Sequence, residues 1–209
     1  SCVGEFHYLH HQLDGSQYSN PNEMGLALLA AADDVGIRVT LLDTLYLQGG
    51  FGADGYNEPV GTQRRFSDVS AGAWADRMHR LPMSETHRLG AAIHSVRAVA
   101  PRSMQLVADW AETSQAPLHA HVSEQVAENE ACAAHHGLSP VEVLAASGVL
   151  TARFSAVHAT HLSGYDIELL AAAASTVVMC PTTERDLGDG IGPTERFADA
   201  GIKISLGSD

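Results

Sequence analysis

Short segments rich in strand-forming residues recur along the whole chain with helical patterns between them. Nothing else in the sequence limits the fold as tightly, because parallel strands can be joined only by crossover connections, and those are usually helices. Seven strands are predicted: Gly4–His10, Ile37–Leu42, Leu89–Ser95, Leu118–Val122, Phe154–Ala159, Thr176–Cys180 and Lys203–Leu206. Helices are predicted near Asn22–Val35, Asp68–Arg80, Ser103–Thr113, Ser123–His136, Pro140–Ser147, Ser163–Ala174 and Thr194–Asp199. Asn20-Pro21 and Ser139-Pro140 place a capping side chain before a proline in a first helical turn. Gly36, Gly137, Gly148 and Gly201 stand where helices should stop.

An open doubly wound sheet accommodates five to seven strands, whereas a closed (β/α)8 barrel needs eight. The strand ends choose between them. Residues capable of chemistry lie at or just past the C-terminal ends of several different strands: His7 to His11, His94, His121, His158, Pro181 to Glu184 and Asp209. An open sheet gathers ligand contacts at one switch point, while a barrel brings every strand end to a common rim. The expected fold is therefore an α/β, (β/α)8 TIM-type barrel showing strands two to eight, with strand one missing. Leu47–Arg65, dense in glycine, is the one long irregular stretch and reads as a lid or binding loop.

Charge excludes some partners. With 25 acidic and 12 basic residues the net charge is −13, which argues against nucleic acid. An anionic small-molecule substrate then needs a local cation. Cys2, Cys132 and Cys180 share no CxxC spacing, so neither a disulfide framework nor a zinc knuckle is indicated, and reduced, buried thiols are expected. No apolar run is long enough to span a membrane and the first residues do not read as a signal peptide, so a cytoplasmic protein is expected.

Three strand ends carry the chemistry. On a strand His119 and His121 share a face, and Glu124 follows where the chain leaves the sheet. A ligand histidine beside a carboxylate suits metal-assisted hydrolysis; equally, the pair fills a barrel interior and Glu124 only begins a helix. His158 ends the next strand, as a site residue or as a hydrogen-bonded core histidine, and His161 begins a solvated turn. Asp209 follows the last strand, as a ligand or a helix cap.

Taken together these motifs resemble the amidohydrolase superfamily, in the branch whose mononuclear zinc enzymes deaminate amidines and nitrogen heterocycles. A narrower resemblance, to the formimidoylglutamate deiminases, lies in Glu5 to His11, Gln63 to Phe66, His94 to Val99 and Cys180 to Gly190. The resemblance implies that His121 and Asp209 bind zinc and that Asp209 takes a proton from water. It further implies that Glu124 exchanges protons with the substrate's imino nitrogen and His158 orients the water, while Tyr8, His94 and Arg97 contact substrate. Enzymes of this kind are often homodimers.

The family also uses an HxH pair at the end of a first strand, and none precedes the first predicted strand here. The chain is thus expected to be a single incomplete barrel domain, residues 1–209, without the family's small flanking β-domain and with two further histidine ligands upstream. The rival expectation is a non-catalytic barrel fragment with an incomplete metal site. Arg97 has its own plainer reading as a surface salt bridge, and so do Arg64 and Arg65 as a solvated basic pair.

Overall fold

Parallel strands buried on both faces carry nearly continuous apolar runs; Leu89–Ile93 shows that pattern, whereas the largely buried stretch Val39–Leu45 interrupts it with Thr40, Asp43 and Thr44. The computed structural model describes residues 1–209. In chain order its elements are β1 (Cys2–His7), α1 (Glu23–Val35), β2 (Arg38–Leu45), the hairpin strands β3 (Phe51–Gly52) and β4 (Gly55–Tyr56), a 3-10 turn over Gly61–Arg65, α2 (Ala71–Met78) and β5 (His87–Ile93). There follow α3 (Pro101–Thr113), β6 (Leu118–Val122), α4 (Val126–His136), α5 (Pro140–Ala146), β7 (Phe154–His158), α6 (Gly164–Ala172), β8 (Thr176–Met179), α7 (Pro181–Leu187), α8 (Thr194–Asp199) and β9 (Lys203–Leu206).

All the predicted strands join one seven-stranded sheet in the order β1-β2-β5-β6-β7-β8-β9, with every neighbour parallel. The sheet is strongly curled. Phe6 of β1 stacks on His121 of β6 with ring centroids 4.2 Å apart, although β2 and β5 lie between those strands; in a flat sheet three strand spacings would part them by roughly 14 Å. The curl stops short of closure, since β1 and β9 do not pair. This is seven-eighths of a barrel wall, as expected for strands two to eight.

Register sets the level of the rim. Val122 lies opposite His158 and Met179 opposite Leu206, and His158 and Met179 each follow the Val157–Val178 pair. One row therefore crosses β6, β7, β8 and β9. Whatever comes next along each strand emerges at the same height.

The core lies between sheet and helices, where Leu29, Leu41, Leu45, Trp74, Met78, Ile93, Met104, Phe154 and Phe197 are all buried. Each such side chain contributes about 1.5–3 kcal/mol relative to exposure. Helix ends follow the local chemistry in most places. Ser139 caps α5 through a reciprocal box with Glu142, and Gly36 and Gly137 end α1 and α4 in the left-handed conformation at φ 68° and 69°.

Several local expectations need correction. The Asn20 side chain accepts from the Asn22 amide, so its cap precedes a helix that starts only at Glu23. The first strand ends at His7, not His10, because His10 and His11 turn away to donate their backbone N–H groups to the Arg65 carbonyl. The helix expected from Ser123 begins at Val126, since Ser123 adopts φ 50°. Within Leu47–Arg65 the chain forms the hairpin and the 3-10 turn. Helix α7 went unpredicted, because its seven polar-rich residues show no apolar stripe. Cys2 is exposed, and all three cysteines are free.

Beneath the N-terminal strands sits a buried ionic network. Arg77 of α2 grips Asp43 of β2 with two bonds of 2.7 and 2.8 Å and meets Asp68 at 3.1 Å. One cation thus serves two buried carboxylates. Asp43 makes the closer pair and is held below the usual carboxylate range, whereas burial and the neighbouring Asp43 push Asp68 up to about 7. A folded-state pKa above the unfolded value favours the protonated form, so this contribution is complete below the unfolded pKa and lost as pH rises through about 7. Unfolded histidines lose their protons around pH 6.5, which favours the neutral buried rings as pH rises and opposes this loss, so the Asp68 contribution is read as a difference between variants. Relative to Asp68→Asn, the parent should lose thermal stability between about pH 4 and about 7; an unchanged difference across that range would locate the effect elsewhere.

Candidate active site

The β6 strand delivers His121 to the rim with its tautomer fixed. Its Nδ1–H donates to the carbonyl oxygen of His94 at 2.9 Å, and a carbonyl can only accept, so Nε2 carries a free lone pair. Burial, with His158 close by, holds its pKa down at about 4. The ring is therefore neutral at physiological pH, the form in which imidazole binds metals. It is sandwiched between Phe6 and His158, whose planes lie 24° and 22° from its own.

His158 occupies the centre. It is 1 % exposed, and its Nδ1 approaches Glu184 Oε1 at 3.4 Å. On the opposite edge Nε2 faces Glu124 at 3.6 Å and Asp209 at 3.7 Å. Three strand ends and one helix thus converge on a single ring. Glu184 is itself fixed by the Cys180 amide, which donates to the same Oε1 at 2.8 Å.

The backbone leaves the sheet in left-handed turns at this level: Ser123 after β6, His158 and Ala159 at the end of β7 and Asp209 after β9 have φ of 50°, 69°, 52° and 45°. For non-glycine residues such conformations cost of order 1–3 kcal/mol each and persist where surrounding structure holds them. Hydrogen bonds do so here. Ala159 donates its N–H to the Val122 carbonyl, His161 to the Ser123 carbonyl, and Thr183 Oγ1 to the Asp209 carbonyl.

Electrostatics separates the carboxylates. Burial raises Glu124 above the usual range, with Asp189 and Asp209 adding to it and His158 opposing it. Glu128, whose Oε2 accepts from the Glu124 amide at 3.1 Å, is pushed up to about 7 by burial. Asp209 stays partly open to solvent, its side chain 35 % exposed.

A second set of side chains faces these from β1, β5 and their loops. Tyr8 and Tyr46 stand edge-on to the His94 ring at 5.0 and 4.7 Å, and His94 stands edge-on to His121 at 5.0 Å. Burial, His121 and Arg97 together keep the His94 pKa well below its ordinary value. Arg97 is half-buried with its Nε unpartnered. The chain's arginine–carboxylate pairs belong to Arg77 and Arg185, so Arg97 makes no direct salt bridge, and its charge acts on Glu128 and Glu124 only at longer range. The Arg97 turn is braced on both sides, since Tyr56 Oη donates to the Val96 carbonyl and the Leu47 and Gln48 amides donate to the Ala98 carbonyl.

Tyr8, His94, Arg97, His121, Glu124, His158 and Asp209 are thus gathered on one rim. His161 is not in a solvated turn: it is partly buried, with Nε2 donating to the Asp189 carbonyl at 2.7 Å. His7, His10 and Asp43 form a separate cluster, but Arg77 occupies Asp43 and the His10 Nε2–H donates to the Thr44 carbonyl, so two of its three donors are already committed. Cys180 and Glu128 are parts of the rim that the strand-end reading did not single out, and Glu184 stood in it only as the end of the Pro181–Glu184 run, without a role of its own. Cys180 had the same signal as His158, a chemically active residue closing an apolar strand, but its burial-prone side chain read as core.

A curled parallel sheet that presents histidines and carboxylates at the C-terminal ends of its strands is the architecture of a barrel hydrolase. The pattern of the Amidohydrolase family matches residues 6–209, and the chain belongs to that family. It is 37% identical, over 212 residues and its whole length, to formimidoylglutamate deiminase from Pseudomonas aeruginosa, of which it spans 46%. The solved amidohydrolase from Brucella melitensis superposes with a TM-score of 0.85 at 39% identity, over 98% of this chain and 45% of that one. An atrazine chlorohydrolase from Arthrobacter aurescens, complexed with zinc, shares the fold at 20% identity and TM-score 0.74, over 99% and 44% of the two chains. The chain spans about half the length of these relatives. No helix is long and apolar enough to cross a membrane.

Proposed function

We propose that this chain supplies much of the active site of a zinc-dependent deaminase that hydrolyses N-formimino-L-glutamate to N-formyl-L-glutamate and ammonia. The observation that carries this reading is the Glu124–His158–Asp209 triangle lying on the same rim as an arginine whose Nε has no partner and which pairs directly with no carboxylate. The likeness to the Pseudomonas aeruginosa deiminase supports the choice of substrate.

The donor chemistry fits zinc. His121 presents a neutral ring with a free Nε2, and Asp209 offers a hard oxygen ligand open to solvent, both of which zinc accepts. When bound, the ion supplies Lewis acidity that makes water acidic enough to act as a nucleophile near neutral pH.

The chain's own residues then divide the work. Arg97 takes a substrate carboxylate in its planar fork, and Tyr8 and His94 border the space beside it. His158, held by Glu184, aligns the attacking water through Nε2, and Asp209 accepts the water's proton. Addition to the formimino carbon gives a tetrahedral centre. Glu124, whose pKa burial raises above the usual carboxylate range, protonates the imino nitrogen, and the two protons that water gives up, one through Asp209 and one from the new hydroxyl, end on the nitrogen that departs as ammonia. Glu124 stands 3.6 Å from His158 Nε2, beside the nitrogen that aligns the water.

Ammonia release from N-formimino-L-glutamate by the complete protein, with and without a chelator, is the direct test. Activity on guanine or another heterocycle, with none on the linear amidine, would move the assignment to a sister deaminase. Arg97→Ala should raise KM about tenfold or more while leaving kcat less affected, the signature of lost uniform binding. An unchanged KM would remove Arg97 from substrate binding.

A further inference from the structure

The fold brings a thiol into the cluster. Cys180, the residue after β8, is 2 % exposed, and one donor atom from each of His158, Cys180 and Asp209 lies within 4.8 Å of the others. Gly207 makes the approach possible: its backbone passes so close that a Cβ there would sit 2.8 Å from the Cys180 sulfur, while its amide donates to the Met179 carbonyl at 2.8 Å. Any larger residue at 207 would push β9 and Asp209 away from the sulfur.

We infer that His158, Cys180 and Asp209 form a binding site of their own for a thiophilic divalent cation of the zinc and cadmium class. Three arguments support it. The set supplies nitrogen, sulfur and oxygen, a mixture that zinc-class ions accept and magnesium or calcium ions do not favour. Tetrahedral coordination at about 2.3 Å to sulfur and about 2.0–2.1 Å to nitrogen and oxygen puts donor atoms roughly 3.3–3.6 Å apart, and Nε2 of His158 already lies 3.7 Å from Asp209. The ion needs little movement to close the tripod. Finally, further carboxyl groups surround the site, since Glu124 and Glu184 stand 3.6 and 3.4 Å from the two nitrogens of the same histidine. Glu184 also supplies the carboxylate that orients a ligating imidazole from behind.

Binding replaces the sulfur–hydrogen bond of Cys180 by a sulfur–metal bond and releases that proton to solvent, one per ion bound. Asp209 is shared with the zinc ligand pair proposed above, whereas Cys180 and His158 are not part of that pair. An ion held here occupies the His158 nitrogen needed to align water, so excess thiophilic metal inhibits the enzyme. The site itself depends on no assignment of substrate.

Cobalt(II) is the probe, because a sulfur ligand gives it an intense charge-transfer band that nitrogen and oxygen ligands do not. The chain carrying Cys2→Ser, which removes the exposed thiol, should develop that band on titration with Co2+ and saturate near one ion. Adding Cys180→Ser should abolish the band. His121→Ala should retain it, which separates this site from the zinc ligand pair. Asp209→Asn, a change at a partly exposed side chain that leaves the core untouched, should weaken Co2+ binding at least tenfold even if the Cys180 variant folds poorly. Absence of the band from the Cys2→Ser chain, or its survival in a folded Cys180→Ser variant, would overturn the proposal. Neither result depends on whether formiminoglutamate is deaminated.

Discussion

Glu124→Gln is expected to slow ammonia release by about 10²–10⁴-fold, with KM little changed. General acid–base groups supply rate factors of that size, and a loss confined to kcat marks an interaction made only in the transition state. The glutamine side chain keeps the shape and can still reach His158, but it carries no transferable proton. Substrate anchoring through Arg97 is untouched, which is why KM should hold. A rate within tenfold of the parent would show that another group protonates the leaving nitrogen. Glu128 is the first to examine, since it lies beside Glu124 and is pushed up to about 7 by burial.

The largest effect on stability is expected from Arg77→Met, which should lower the unfolding free energy by about 3–5 kcal/mol, the cost of removing one partner from a buried pair. The size follows from what is left behind. Asp43 is 1 % exposed and would lose both strong bonds to the guanidinium, while Asp68 would lose its partner as well. Two buried carboxyls would then have to take up protons. Adding Asp43→Asn and Asp68→Asn to Arg77→Met should recover part of the loss, because the penalty lies in the unpaired charges and not in the missing bonds alone. Urea denaturation of the chain measures both the single and the triple variant; a loss below about 1 kcal/mol for Arg77→Met would mean that water reaches the network and spares it the desolvation cost.

These two predictions draw on opposite ends of the legible range. Glu124 stood out in the sequence because it follows a histidine-bearing strand by a short, regular step, and strand geometry fixes where such a residue emerges. Arg77 did not. It lies in the middle of a helical pattern, where a charged residue reads as solvated surface, and its partners are 9 and 34 residues away. The long loop gave a similar lesson. Its glycines indicated irregular backbone, but the hairpin that braces the Arg97 turn depends on Tyr56 reaching Val96, 40 residues on. The helix Pro181–Leu187 was hidden for another reason, since seven residues are too few to reveal a 3.6-residue period.

The barrel class, the strand order and the rim residues His94, His121, Glu124, His158 and Asp209 could all be read from the pattern of residues along the chain. Those features rest on local rules: periodicity separates strand from helix, crossover connections make the sheet parallel, and strand polarity sends each strand-end residue to the same edge. What each of those residues meets is settled only in three dimensions. The curl of the sheet stacks Phe6 on His121 across two intervening strands, and register sets His158 level with Met179. Close passage of the Gly207 backbone brings Cys180 to Asp209. Such contacts join residues far apart in the chain, and their distances depend on how the whole sheet closes, a quantity that no local pattern of residues encodes.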